Sequence, residues 1–145
     1  MCAPDSFDVY EHEIEWVPVS DLYGFDGTVP AAIGNLGKYL GRPGDERGPW
    51  FYIVKHPPHT RVPRHSHSSA VSHFLLDGSW LVGDDEPQVC VPGFFHHEDP
   101  GAFWGPLRSG PEGSRFIAVY SARPDFIPAA GNEAGYVDPY SDSKG

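Results

Sequence analysis

A chain of 145 residues and 15.9 kDa has room for one ordinary domain and no second core. Its 17 glycines and 16 prolines exclude an architecture of long helices and favour turn-rich β structure, while 39% hydrophobic and 14% aromatic residues supply a core and exclude disorder over most of the length. A formal charge of −10 repels nucleic-acid phosphates and anionic lipid alike, so neither nucleic acid nor membrane is an expected partner.

The opening residues, MCAPDSFDVYEHEIEW, hold neither a basic stretch nor an apolar run, and no membrane-spanning run follows, which predicts a cytoplasmic protein. Cys2 and Cys90 stand in a tail and a β-like run and predict reduced thiols rather than a disulfide. Loose alternation over 7–19 predicts one or two short strands, and 22–49, with seven glycines and three prolines, reads mostly as loop. Five strands follow: 50–56, 65–67 with its flanks, 71–76 with 80–82, 89–97, and 115–120. Asp77-Gly78, between two apolar runs, predicts a hairpin, and Asp99-Pro100-Gly101 and the stretch 108–113 predict further turns. From Pro124 the chain returns to proline, glycine and charge. The expectation is one domain over 1–145: a core at about 50–121, N-terminal strands and loop over 7–49, and an irregular tail over 124–145. Its class is all-β, a sandwich or barrel of the jelly-roll kind.

Seven of the eight histidines fall between positions 56 and 97. At the centre is His65-Ser66-His67, where residues two apart on a strand face the same way and two imidazoles converge on one ion. A third ligand is expected from the strand that turns back, where His73 precedes Phe74-Leu75-Leu76-Asp77-Gly78. His56 and His59 flank Pro57-Pro58 and are expected in an exposed turn, and His12 is expected to be unrelated.

This order of features over residues 50–121 resembles the cupin family: a His-x-His pair, a ligand on the next strand, a glycine at Gly78, then Pro92-Gly93 opening a strand that ends at Pro100-Gly101. The resemblance implies a small double-sheet β-barrel with a metal inside, held by the pair, by a Glu on the following strand and by a later His. Here Val71 and Trp104 stand where those last two ligands fall. Strand parity offers replacements: His73 lies two residues beyond Val71, and His96 lies two before Glu98. The expected metal set is therefore His65, His67, His73 and His96, with Glu98 facing inward, although a single bulge would exchange His96 for His97. Trp50, Tyr52, Phe103 and Trp104 are expected to shape the cavity, with Glu98 and metal-bound water as base.

Four neutral imidazoles leave a divalent cation strongly Lewis acidic, which suits enolate chemistry. The chain as a whole resembles actinomycete cupin cyclases of aromatic polyketide biosynthesis. That resemblance implies zinc, with iron as the alternative, and a poly-β-keto substrate, free or on an acyl carrier protein. Two other functions stay open: a non-haem iron dioxygenase cleaving a β-diketone or a hydroxyacetophenone, and a cupin that binds metal or ligand without turnover. A homodimer is expected, through edge strands or exchange of the apolar 7–19 segment.

Overall fold

The computed structural model of the protein describes residues 4–23, 34–42 and 44–129. In chain order it contains a 3-10 turn (Glu11–Glu13), β1 (Val17–Pro18), α1 (Val19–Tyr23), β2 (Leu36–Tyr39), β3 (Trp50–His56), β4 (Arg61–Val62), β5 (His65–Ser66), β6 (Val71–Val82), β7 (Gln88–Cys90), β8 (Phe95–Glu98), β9 (Leu107–Tyr120) and β10 (Ile127–Pro128). The larger sheet runs β1-β2-β3-β9-β6-β7, with β4 also on β9 and β8 also on β6. Facing its inner side lies the small β10-β5 pair, and every pairing is antiparallel.

Cross-strand register arranges the inner face in rows. One row is Glu98, Val71, Tyr120 and Trp50; the next is His96, His73, Ala118, Tyr52 and Tyr39; the next is Leu75, Phe116, Val54 and Gly37. Side chains alternate across a strand, so the residues between these rows, Phe74, Phe95 and Val119 among them, point outward and are exposed. Tyr52, Val54, Val71, Leu75, Trp80 and Phe116 form the middle of the buried apolar cluster. Burying side chains of this size contributes roughly 1.5–3 kcal/mol each.

Several sequence expectations need correction. The Asp77-Gly78 hairpin does not form: β6 passes straight through, with register shifts between Leu75 and Asp77 and between Gly78 and Trp80. Gly78 takes φ +81, and a Cβ there would lie 2.0 Å from the Gly113 carbonyl oxygen, so it serves a bulge against β9 rather than a reversal. The turn residues at 110–113 do leave the ladder, yet they form a corner within one long strand, β9, which pairs with β4 before it and β3 after it.

The 89–97 strand is broken by the turn at Pro92-Gly93 into β7 and β8. Within 7–19 the structure has a 3-10 turn and β1, and α1 begins at Val19. β2 interrupts the expected loop, its Gly37 admitting the side chains of Leu22 and Val19. The expected irregular tail instead returns as β10 to cover β5. Cys90 is buried with a free thiol. Cys2, residues 24–33 and the tail from 130 onward lie outside the described residues.

Candidate functional site

The short strand β5 owes its position to Trp104: the His65 N–H donates to the Trp104 carbonyl at 3.0 Å, and the Trp104 N–H returns the bond at 2.9 Å. His65 and His67 bring their ring centroids to 4.9 Å. Nδ1 of His65 lies 2.7 Å from the Pro63 carbonyl, and Nδ1 of His67 bonds the Asp125 carbonyl. Carbonyl oxygens only accept, so both protons sit on Nδ1 and both Nε2 atoms keep a free lone pair. Burial holds His65 down at about 3 and lowers His67 as well, against the pull of Asp125. Both rings are neutral at pH 7.

His73 approaches from β6, packed among Phe116 at 5.6 Å, Trp104 at 5.8 Å and Trp80 at 6.0 Å between centroids. Burial first, then the neighbouring histidines, lower its pKa well below the ordinary value, and its buried Nδ1 has no hydrogen-bond partner among the described residues. His96 stands opposite His73 with rings nearly parallel and 6.3 Å apart. Because the β6–β8 ladder runs without a shift from Phe95 to Glu98, His96 faces inward and His97 outward, where His97 meets Ser72 and Asp99. The His96 ring stacks on the indole of Trp104 at 3.9 Å, beside the cavity rather than in its described wall. Its Nε2 lies 3.7 Å from a Glu98 oxygen.

Glu98 is 4% exposed, neither oxygen has a hydrogen-bond partner among the described residues, and burial pushes it up to about 7. A carboxyl near that value takes or gives a proton at neutral pH with little bias.

His65, His67, His73 and a fourth histidine, His56, open onto one cavity of about 70 Å³ whose remaining wall is mainly apolar, Trp80, Trp104, Phe116 and Tyr120 foremost. That is space for several waters. His56 is the missed residue. Expected in an exposed turn, it is 7% exposed, and burial brings it down to about 3. The signal that finds it is parity: Tyr52, Val54 and His56 share one face of β3. Of the residues expected to shape the cavity, Trp104 lines it and Tyr52 lies one layer behind, against Tyr23 and Tyr120. Trp50 stacks on Tyr39 away from the cavity, and Phe103, 43% exposed, stands outside it near the Arg64 guanidinium. His59 is exposed, and His12 stacks on Tyr10 far along the chain.

Among the described residues, no three His, Cys, Asp or Glu side chains already gather their donor atoms as a bound ion would require. The donor chemistry nevertheless fits a cation. Two imidazoles have the tautomer fixed by a carbonyl, as metal-binding histidines ordinarily do, and His73 keeps a buried nitrogen that an ion or ligand would satisfy.

No protein-family model and no curated protein sequence matches the chain. Solved structures do match. The polyketide cyclase RemF from Streptomyces resistomycificus superimposes with a TM-score of 0.64 at 18% identity, over 97% of this chain and 94% of that one. An acetylacetone dioxygenase from Acinetobacter johnsonii gives 0.61 at 19% identity, over 90% and 83%. An RmlC-like cupin from Shewanella frigidimarina gives 0.59 at 15%, over 82% and 94%. The fold is that of the cupins. Identities this low carry the cupin fold to this chain and leave its reaction to its own residues. No helix of the described residues is long and apolar enough to cross a membrane.

Proposed function

We propose that the protein closes rings in a poly-β-keto chain by aldol-type condensation and dehydration. A divalent ion, zinc in preference to iron, would be held by His65, His67 and His73, with His96 as fourth ligand once its ring leaves the stack on Trp104 that keeps it outside the described wall. The observation that carries this reading is the charge character of the cavity. Its described wall has four histidines, held neutral by burial, and no carboxylate; Asp125, 3.9 Å from the His67 ring, and Glu98, 3.7 Å from His96, stand behind that wall. When bound, such an ion polarises carbonyl oxygens, stabilises negative charge on them and lowers the pKa of coordinated water toward ~7.

The protein's own groups do the rest. The Pro63 and Asp125 carbonyls keep the lone pairs of His65 and His67 available. Trp104, Phe116 and Tyr120 exclude water and give a flat apolar chain surfaces to lie on. Glu98, at about 7, lies beside His96 and outside the described wall; as the buried acid–base group in the same inner row as Tyr120, it would accept the carbon-bound proton at a carboxylate oxygen and return it when water leaves. The overlap with RemF along nearly the whole of both chains supports this reading.

A second reading has its own observation. A cavity of about 70 Å³ suits a small β-diketone, and acetylacetone dioxygenase is among the matching folds, so oxygen-dependent cleavage at a three-histidine iron site is the competitor. The test is a poly-β-keto substrate given to protein stripped of metal by chelator and shown by circular dichroism to remain folded. Ring closure should fall at least ~100-fold, return with zinc, and proceed equally in air and under nitrogen. An undiminished rate without metal sinks the proposal, and cleavage that consumes oxygen transfers it to the dioxygenase reading.

A further inference from the structure

His56 has no part in the ligand set or the chemistry above. It ends β3 on the inner face, opposite Ser114. That hydroxyl is already engaged, accepting from Trp80 Nε1 at 3.0 Å and pairing with Ser109 Oγ at 2.8 Å. Nδ1 of His56 is buried with no partner among the described residues. An imidazole nitrogen left unpaired in an apolar wall costs stability, so its retention points to a partner that arrives from outside the chain.

Position says what that partner looks like. The His56 ring stands edge-on to Phe116 at 5.0 Å, and His73 meets the same phenyl ring at 5.6 Å. Two cavity histidines therefore flank one aromatic ring, with the His65–His67 pair near one of them. His56 also borders a second, open groove of about 410 Å³ that carries Lys55, Asp77, Glu112 and Arg115. His56 thus stands between the cavity and that groove.

We propose that His56 is a recognition residue that hydrogen-bonds a second oxygen of a flat ligand lying across Phe116, the first oxygen being held among His65, His67 and His73. The ligand class is an apolar ring system with keto or hydroxyl groups at two ends, in preference to rings with one oxygen or none. A neutral imidazole has one N–H and one lone pair, so it serves either the keto or the enol form of such a group. The inference rests on reading this cavity as the binding site and is independent of the metal and the reaction.

The experiment compares binding of 2-naphthol and 2,6-dihydroxynaphthalene, followed by ligand fluorescence, to the purified protein and to His56→Phe and His56→Gln. The unaltered protein should prefer the diol by about fivefold or more, the size of a hydrogen bond. His56→Gln keeps part of that preference, and His56→Phe abolishes it while leaving 2-naphthol affinity within about twofold. His56→Phe should also melt no lower than the parent, since a phenyl ring replaces an unpaired nitrogen. Equal affinities in the parent, no binding of either compound, a preference that persists in His56→Phe, or a lower melting point for that variant would overturn the inference. A protein with the diol preference but no cyclase activity keeps the role of His56 and loses the cyclase reading.

Discussion

On β5 and at the residue just after it, each imidazole has a backbone carbonyl to hold it: Pro63 for His65, Asp125 for His67. On β3, β6 and β8 the polar groups have no such anchor: nitrogens of His56, His73 and His96 and both oxygens of Glu98 are buried with no hydrogen-bond partner among the described residues, His96 and Glu98 meeting only each other at 3.7 Å. The contrast separates two jobs. The β5 wall is finished in the unliganded chain, with tautomer and ring direction set in advance. The other side is unfinished among the described residues, its polar groups left to meet one another or whatever enters beside them.

Substitutions can break this comparison. On the finished wall, His67→Ala should bring metal content close to zero and reduce ring closure at least ~100-fold, checked by metal analysis and rate together. Normal metal content in His67→Ala would show that the anchored wall is not where the ion sits. On the unfinished wall, His96→Ala should cost less, about tenfold in metal affinity, because the His96 ring rests on Trp104 rather than in the described cavity wall. A loss as large as that of His67→Ala would place both walls on the same footing.

A smaller effect, opposite in sign on two groups, appears in the stability of metal-free protein against pH. His56 and His65 move from 6.5 down to about 3 on folding, so their contribution is present above pH 6.5 and is lost as pH falls toward 3. Glu98 moves the other way, from 4.5 up to about 7, so it lowers stability as pH rises through that interval. Urea unfolding should show Glu98→Gln more stable than the parent at pH 8 by on the order of 2 kcal/mol, with the difference vanishing below pH 4.5. No difference at pH 8 would mean that Glu98 finds a partner in solution.

What the sequence discloses about this molecule is mainly alternation. β3 has the bounds expected of it, and parity alone puts His73, His96 and Glu98 on one face and His97 on the other. Features that depend on distant backbone are not legible. Asp77-Gly78 has the composition of a hairpin turn, and only the presence of Gly113 across the ladder makes it a bulge. β2 is hidden because Gly37 and Lys38 are poor strand formers locally, and the pairing with β3 overrides that preference. Asp125, 58 residues from His67, holds that ring by its carbonyl, a role no local pattern announces. His56 was concealed by Pro57-Pro58, which describe the turn after it and say nothing of the strand face it ends.

The meeting of Gly78 with Gly113 has one more consequence. Added methyl groups would strike the Gly113 carbonyl oxygen at 2.0 Å from one side and the His56 carbonyl oxygen at 2.6 Å from the other, so three main chains touch there with no side chain as cushion. Such a junction cannot yield to accommodate an ill-fitting guest. Under the proposed reading, variants meant to admit larger ligands would have to reshape the Trp104 side, which lines the cavity, rather than this junction.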